Sequence, residues 1–531
     1  MRPLLLPIVA ATLLLQNPVS ALWPAQTTAG SETVPGRSDA SPGLHRIREL
    51  VEEAIAARQL PGAVVLIGRR DGVIYEEAFG NRATVPAVEP MTVDTMFDLA
   101  SLTKVVATTT SVMILVEEGR LRLDESVARY VPEAGALGKD RVSLRHLLTH
   151  TSGLRSGLDL ELPFRGTAEA ITRIAHDVPE AAPGERFTYS DLNFVLLGEV
   201  VARAGGESLD RYAARRIFEP LRMRDTMFNP PASRVPAIAP TEPCLPLAWP
   251  CQSAGAPMLR GTVHDPTARR MGGVAGHAGL FSTAADLGRF ARMILNGGTL
   301  DGARVLSAAA IARMTAPATP PGMADVRGLG WDIDSRYSAN RGELFPIGSF
   351  GHTGFTGTSI WIDPEDDLFV LFLSNRVHPD GRGDVTPLRA RVSTVAAAAL
   401  IDAPRLTLLR ERTWNSPPRS AISTPVPPLR PPVLSGIDVL QREGFGRLRG
   451  KRIGLLANDA VRTRAGARTI EAIRAAPGVH LAAIFTPEHG ITGLVDATVA
   501  SSQDQSTGLP VHSLYGDTLR PTPQMLDGLD L

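Results

Sequence analysis

Lysine is nearly missing from this chain. Among 531 residues it occurs three times, at Lys104, Lys139 and Lys451, and arginine carries the rest of the positive charge. Lys+Arg and Asp+Glu balance at 55 each, so there is no basic excess to bind nucleic acid or to draw the chain onto an anionic membrane surface. Cysteine is equally scarce. Cys244 and Cys251 lie in a Pro-rich stretch, and two thiols cannot close a zinc site that needs four ligands. They leave two readings: a small disulfide worth at most about 2–3 kcal/mol, or a pair of free thiols. Long apolar runs are absent after the first residues. The run Leu4–Leu15 follows Arg2, ends near Val19-Ser20-Ala21 and is too short to span a bilayer comfortably. It reads as a cleavable secretory signal over residues 1–21, which predicts a periplasmic or secreted protein without a stable membrane span.

What is present suits a soluble globular protein, with 44% hydrophobic and 21% charged residues. The length exceeds one ordinary core. Residues 22–42, rich in Ser, Thr, Gly and Pro, form a flexible lead-in. Structured patterning runs over 43–408, beginning with helical spacing in Leu44–Arg58. Two strand-like runs follow, Ala63–Gly68 and Val73–Phe79, joined by Arg-Arg-Asp-Gly, a hairpin signal. Residues 409–435 contain Ser-Pro-Pro, Pro-Val-Pro-Pro and Arg-Pro-Pro and read as a semi-extended linker. Beyond it, Arg452–Ala457, Thr469–Ala475 and Val479–Phe485 alternate as strand, helix, strand, the pattern of a parallel sheet. This second unit, 436–531, stops where another strand begins and reads as truncated.

Ser101-Leu102-Thr103-Lys104 opens a helical stretch that closes at Gly119. Three residues apart on a helix, Ser101 and Lys104 share one face. A serine hydroxyl needs a base to take its proton, and a lysine whose pKa is lowered by burial can serve where an arginine cannot. A tetrad of this kind recurs by chance, and two further pieces give it weight. Tyr189-Ser190-Asp191 follows Pro183-Gly184 and precedes an apolar helical run from Phe194. His352-Thr353-Gly354-Phe355 precedes the strand-like runs Ser359–Ile362 and Leu368–Leu373.

With these three elements in order, the sequence resembles the serine β-lactamase and penicillin-binding-protein superfamily, especially its class C, esterase and D,D-peptidase branches. Leu144–Gly153 and Phe281–Leu287 are similar to supporting stretches of that family. The resemblance implies an α/β domain of the β-lactamase/transpeptidase kind (α+β in detail), an antiparallel sheet flanked by helices plus a helical lobe. It implies Ser101 as nucleophile, Lys104 and Tyr189 as its proton shuttle, and the N–H groups of Ser101 and Phe355 as an oxyanion hole. Asp191, His352, Thr353, Gly354 and Phe355 would line the substrate channel, and no metal or organic cofactor is required. Two departures stand out. The usual Tyr-x-Asn is Tyr189-Ser190-Asp191, with Asn193 nearby, and the usual Lys-Thr-Gly is His352-Thr353-Gly354. The second replaces a permanent cation with a titrating group.

Blander readings suffice elsewhere. His146 and His150 have a metal-ligand spacing but read as helix packing. The glycine-rich Gly272–Gly279 reads as a tight loop near the site, and Ser282 or Thr283 as a helix cap. His264-Asp265 reads as structural hydrogen bonding. In the second unit, Phe485-Thr486-Pro487-Glu488-His489-Gly490 ends a strand at the edge where parallel sheets bind ligands. With Gly436–Leu440 and Gly508–Gly516 it resembles the start of the exo-β-N-acetylmuramidase family, on a truncated Rossmann-like α/β fold. That resemblance implies Glu488 as catalytic, with His489 behind it, although Asn458-Asp459-Ala460 departs from the expected pattern.

Together these readings predict an exported serine hydrolase working through an acyl-enzyme on peptidoglycan-related esters or amides. Its expected partner is a small molecule or a peptidoglycan fragment. The alternatives are a broad esterase, a glycosidase resting on Glu488, and a peptidoglycan-binding module whose chemistry has decayed.

Overall fold

The computed structural model describes residues 43–244, 258–401, 436–458, 462–463, 467–487, 500–504, 506–514, 518 and 520–531. The expected signal, lead-in and linker lie outside the described residues, as do Cys251, Glu488 and His489. Cys244 is disulfide-bonded.

The Arg70-Asp71 turn joins Gly62–Arg69 (β1) to Gly72–Ala83 (β2) in the expected hairpin, with β2 running four residues further than its apolar pattern. The sheet is completed by Glu89–Pro90 (β3), Val326–Arg327 (β4), Asp332–Asp334 (β5), Phe350–Thr353 (β6), Ser359–Asp363 (β7) and Leu368–Ser374 (β8). Its eight strands are antiparallel in the order β3-β2-β1-β8-β7-β6-β5-β4. The central pair β1 and β8 is free of polar side chains from Gly62 to Gly68 and from Leu368 to Leu373, because both faces of the sheet are covered. Val64 and Leu66 of β1, with Phe369, Leu371 and Leu373 of β8, face one core; Ala63, Val65 and Ile67, with Leu368, Val370 and Phe372, face the other.

The smaller core packs the sheet against His45–Ala56 (α1) and Thr386–Leu400 (α5). The larger takes in Thr110–Glu117 (α2), Asp191–Gly205 (α3) and Ala284–Leu295 (α4). In α4 the amphipathic pattern turns Leu287, Phe290, Ala291 and Ile294 inward, and Thr283 caps its start by accepting from Asp286 N. Ser282, the other capping candidate, pairs with the Thr226 hydroxyl instead.

The second unit carries its own sheet. Arg452–Leu456 (β9) and His480–Thr486 (β10) pair in parallel across the helix Thr469–Arg474. Ser502–Gln503 (β11) and Pro510–Ser513 (β12) extend it in the order β9-β10-β12-β11, with β10 and β12 parallel. The strand–helix–strand reading therefore holds. Among the described residues, no helix is long and apolar enough to cross a membrane.

Candidate active site

Ser101 stands at the head of the helix that becomes α2, on a backbone held in an uncommon conformation. Ala100 has φ +45°, left-handed space that a residue with a Cβ rarely occupies. Asp98 secures that bend: it is buried, and its carboxylate accepts from Ala100 N at 2.8 Å and His264 N at 2.7 Å. Burial pushes the Asp98 carboxyl above its ordinary range, against the pull of those two N–H groups. The next turns, Lys104–Thr109, are π-helical, a wider coil common at functional sites. There Thr108 donates to Gly276 O at 2.6 Å, tying the helix to the glycine-rich loop.

Lys104 is fully buried, and its Nζ lies 2.8 Å from Ser101 Oγ. It also forms an ion pair with Asp191 at 2.8 Å and donates to His277 O at 3.3 Å. Burial pulls its pKa down, but the charge of Asp191 and the contact with Tyr189 outweigh that, and the net direction is upward. This corrects the expectation of a lysine lowered by its surroundings: the ion pair with Asp191 favours the ammonium form. The rings of Tyr189 and Phe194 lie 5.0 and 5.7 Å from its Nζ. Tyr189 itself stacks on buried His150 at 4.4 Å.

His146 and His150 do different structural work, as the packing reading required. His146 completes a capping box with Ser143, while His150 Nδ1 accepts from Ser190 N at 3.1 Å. Asn193 is buried and turned toward Ser152 and His150, so it does not substitute for the missing asparagine. Asp191 occupies the place instead, about one-third exposed beside Lys104.

The turn between β6 and β7 brings the third element in. Thr356 donates to Asp98 O at 2.7 Å and Thr358 to Leu99 O at 3.0 Å, fastening this turn to the segment just before Ser101. Gly354 sits where a Cβ would come within 2.1 Å of Thr358 Oγ1 and 2.4 Å of Leu99 O, so glycine is required there. His352 is buried, with Nδ1 against Thr353 O at 2.8 Å. Burial first, then the charges of Arg327 and Lys104, hold its pKa well below the ordinary imidazole value. The expectation of a titrating group at this position is thus corrected: His352 stays neutral across the physiological range.

These parts open on a cleft of about 160 Å³ lined by Ser101, Tyr189, His352, Thr353, Gly354 and Phe355. The far wall was not legible in the sequence. Arg327, Asp332, Arg376, Asp384 and Arg389 line it from β4, β5, α5 and the segment after β8. In a chain so rich in arginine, no single arginine stands out before the fold brings it here. Arg327 is fully buried and paired with Asp332 at 3.2 Å. Phe355 lies under the Arg376 guanidinium at 4.5 Å and beside His264 at 5.5 Å.

The glycine-rich loop does pack beside the site. Its His277 pairs with Asp265 at 2.8 Å, while His264 pairs with Glu242 at 2.7 Å, so the neighbours His264 and Asp265 serve separate partners. Asp191, Asp265 and His277 bring one ligand atom each within 4.8 Å of one another. The Lys104 ammonium already neutralises Asp191 there, and a divalent cation would have to displace it; the donor set suits a lysine rather than a metal.

Residues 47–394 match the family described as Beta-lactamase, and residues 453–531 match that described as Exo-beta-N-acetylmuramidase NamZ, N-terminal. A protein of Escherichia coli O157:H7, provisionally named a D-alanyl-D-alanine carboxypeptidase, is 32% identical over 351 residues, 60% of this chain and 79% of its own length. An N-acetylmuramyl-L-alanine amidase of Bacillus subtilis (strain 168) is 32% identical over 368 residues, 63% of this chain and 81% of its own. Among solved structures, a penicillin-binding-protein homologue from Caulobacter crescentus superposes with TM-score 0.56 at 23% identity, covering 68% of this chain and 98% of that one. EstCE1, a hydrolase with promiscuous acyltransferase activity, gives 0.55 at 23% identity, covering 67% and 98%. At that identity the two structures speak for the fold alone.

Proposed function

The chain belongs to the β-lactamase family, and from that premise we propose that it is an exported acyl-enzyme hydrolase of peptidoglycan-derived amides, with Ser101 as nucleophile. That it is a serine hydrolase of the β-lactamase and penicillin-binding-protein type follows from the family. The observation that carries the residue assignment is the 2.8 Å approach of buried Lys104 Nζ to Ser101 Oγ.

In this reading Ser101 Oγ attacks the substrate carbonyl carbon and its proton passes to Lys104 Nζ, beside which the Tyr189 ring lies. The charge that develops on the carbonyl oxygen is met by the N–H groups of Ser101 and Phe355 and by the start of the helix below. The proton returns by way of Lys104 to the leaving group, and water then attacks the ester. Neutral His352 and Thr353 border the acyl group, and the far wall of guanidinium and carboxylate groups faces the rest of the substrate. Peptidoglycan is favoured as the source because relatives are named D-alanyl-D-alanine carboxypeptidase and N-acetylmuramyl-L-alanine amidase, and residues 453–531 match an exo-β-N-acetylmuramidase family. For that second unit, Glu488 is the proposed catalytic residue.

Intact mass after exposure to a fluorophosphonate and, separately, to a penicillin tests the assignment. The wild type gains one adduct and Ser101→Ala gains none. Labelling by both reagents supports a D,D-peptidase-like enzyme, and labelling by the fluorophosphonate alone supports an esterase. A folded wild type that neither reagent labels refutes the acyl-enzyme reading.

A further inference from the structure

Lys104 cannot act on Ser101 as it stands. An ammonium only donates hydrogen bonds, and the 2.8 Å ion pair of buried Lys104 with Asp191 favours its charged form. Before Nζ can accept the Ser101 proton, one of its neighbours must take a proton from it. Ser101 Oγ, at 2.8 Å, is itself the proton source. His277 offers a backbone carbonyl at 3.3 Å, which does not bind a proton at neutral pH. Tyr189 meets Nζ with its ring, 5.0 Å away at the centroid. Asp191 Oδ1, 2.8 Å away at the start of α3, is the one carboxylate among these contacts.

We propose that Asp191 is the terminal proton acceptor of a Ser101–Lys104–Asp191 relay, taking the proton that Lys104 must shed to act on Ser101. The inference rests on Ser101 being the nucleophile. As the bond between Ser101 Oγ and the carbonyl carbon forms, the Oγ proton moves to Nζ while an Nζ proton moves to Asp191 Oδ1. The carbonyl π pair moves onto its oxygen. On collapse that pair returns, the bond to the leaving group breaks, and the proton travels back from Asp191 through Lys104 to the departing atom. Lysine stays an ammonium at both ends of the step.

The other groups around Lys104 do not compete for this role. His150 and His352 are held neutral, chiefly by burial. Arg327 is a permanent cation, and Asp265 is engaged by His277. The departure from Tyr-x-Asn also makes the proposal sharp, because Asp191→Asn restores the family's usual residue. If Asp191 were a mere stand-in for asparagine, that change would leave activity intact.

The test is single-turnover acylation of the full chain by a p-nitrophenyl ester, followed from pH 5 to 10 and in mixtures of H₂O and D₂O. Two protons in flight make the wild-type rate fall along a curve as the deuterium fraction rises. Asp191→Asn lowers the pH-independent plateau of the acylation rate by about 100-fold, within the usual range for general acid–base catalysis. It leaves KM within about threefold and straightens the isotope plot. Asp191→Glu, which keeps a carboxylate, recovers at least about one-tenth of the plateau. A straight wild-type isotope plot overturns the relay whatever the variants do. So does an Asp191→Asn plateau that is unchanged or raised with only its limb moved to lower pH, since Asp191 would then be a counter-ion alone. A wild type that is not acylated at all, or is acylated equally in Ser101→Ala, instead removes the nucleophile assignment beneath the proposal.

Discussion

Lys104 is one of three lysines in the chain, and its rarity made it visible beside Ser101. Its charge state was not visible, because that depends on Asp191, 87 positions away, and on complete burial. The same holds for His352, whose neutrality comes from burial and from Arg327 and Lys104 rather than from its place before Thr353. A direct consequence follows. The imidazole signal that disappears in His352→Gln shows no change of chemical shift between pH 8 and 5.5 in the wild type, as measured by NMR. A midpoint near the ordinary imidazole pKa would contradict the burial argument.

At the scale of elements, the site depends on a turn and a helix start being clamped together. The Thr356 and Thr358 hydroxyls bond to the carbonyls of Asp98 and Leu99, which places Phe355 beside Ser101. Gly354→Ala drives a methyl group into Thr358 Oγ1 and Leu99 O. Single-turnover acylation is expected to fall by about 100-fold or more, the scale of losing an oxyanion donor. An unchanged rate would mean that this turn is not where the oxyanion is held. The strands and helices themselves were legible from period and punctuation. The hairpin at Arg70-Asp71, the helix closed by Gly119 and the parallel pair β9 and β10 fall where the pattern puts them. Short strands such as β3, β4 and β5 were not legible, since two or three residues carry no periodicity and form only against a neighbour already in place.

For the molecule as a whole, distant segments are tied by ion pairs that respond to pH. Glu89 on edge strand β3 takes two bonds of 2.7 Å from Arg260 and one of 2.9 Å from Arg82. The Arg260 bonds chiefly, opposed by partial burial and aided by Arg82, lower the Glu89 pKa to about 2 from an ordinary 4.5. A carboxylate depressed on folding stabilises the folded state above its ordinary pKa, and the gain is lost as pH falls from about 4.5 to about 2. The ceiling is about 3 kcal/mol, reduced by solvent screening. Glu89→Gln should therefore unfold at lower denaturant than wild type at pH 7, with the gap closing near pH 2.5. A gap that persists at low pH would assign the effect to packing instead.

Sequence alone determined the local facts: which runs form strands and helices, and that Ser101 and Lys104 share a helix face. It also determined that Tyr189 and His352-Thr353-Gly354 follow in family order. Those are set by spacing along one chain, where period and residue type act directly. Only the tertiary structure decided that Asp191 and not Asn193 meets Lys104, and that His277 pairs with Asp265 rather than His264 with its neighbour. It alone gathered Arg327, Arg376 and Arg389 into the far wall of the cleft. Charge state and partnership depend on burial and on distances between segments far apart in the chain, and both exist only once the sheet and its two layers have closed.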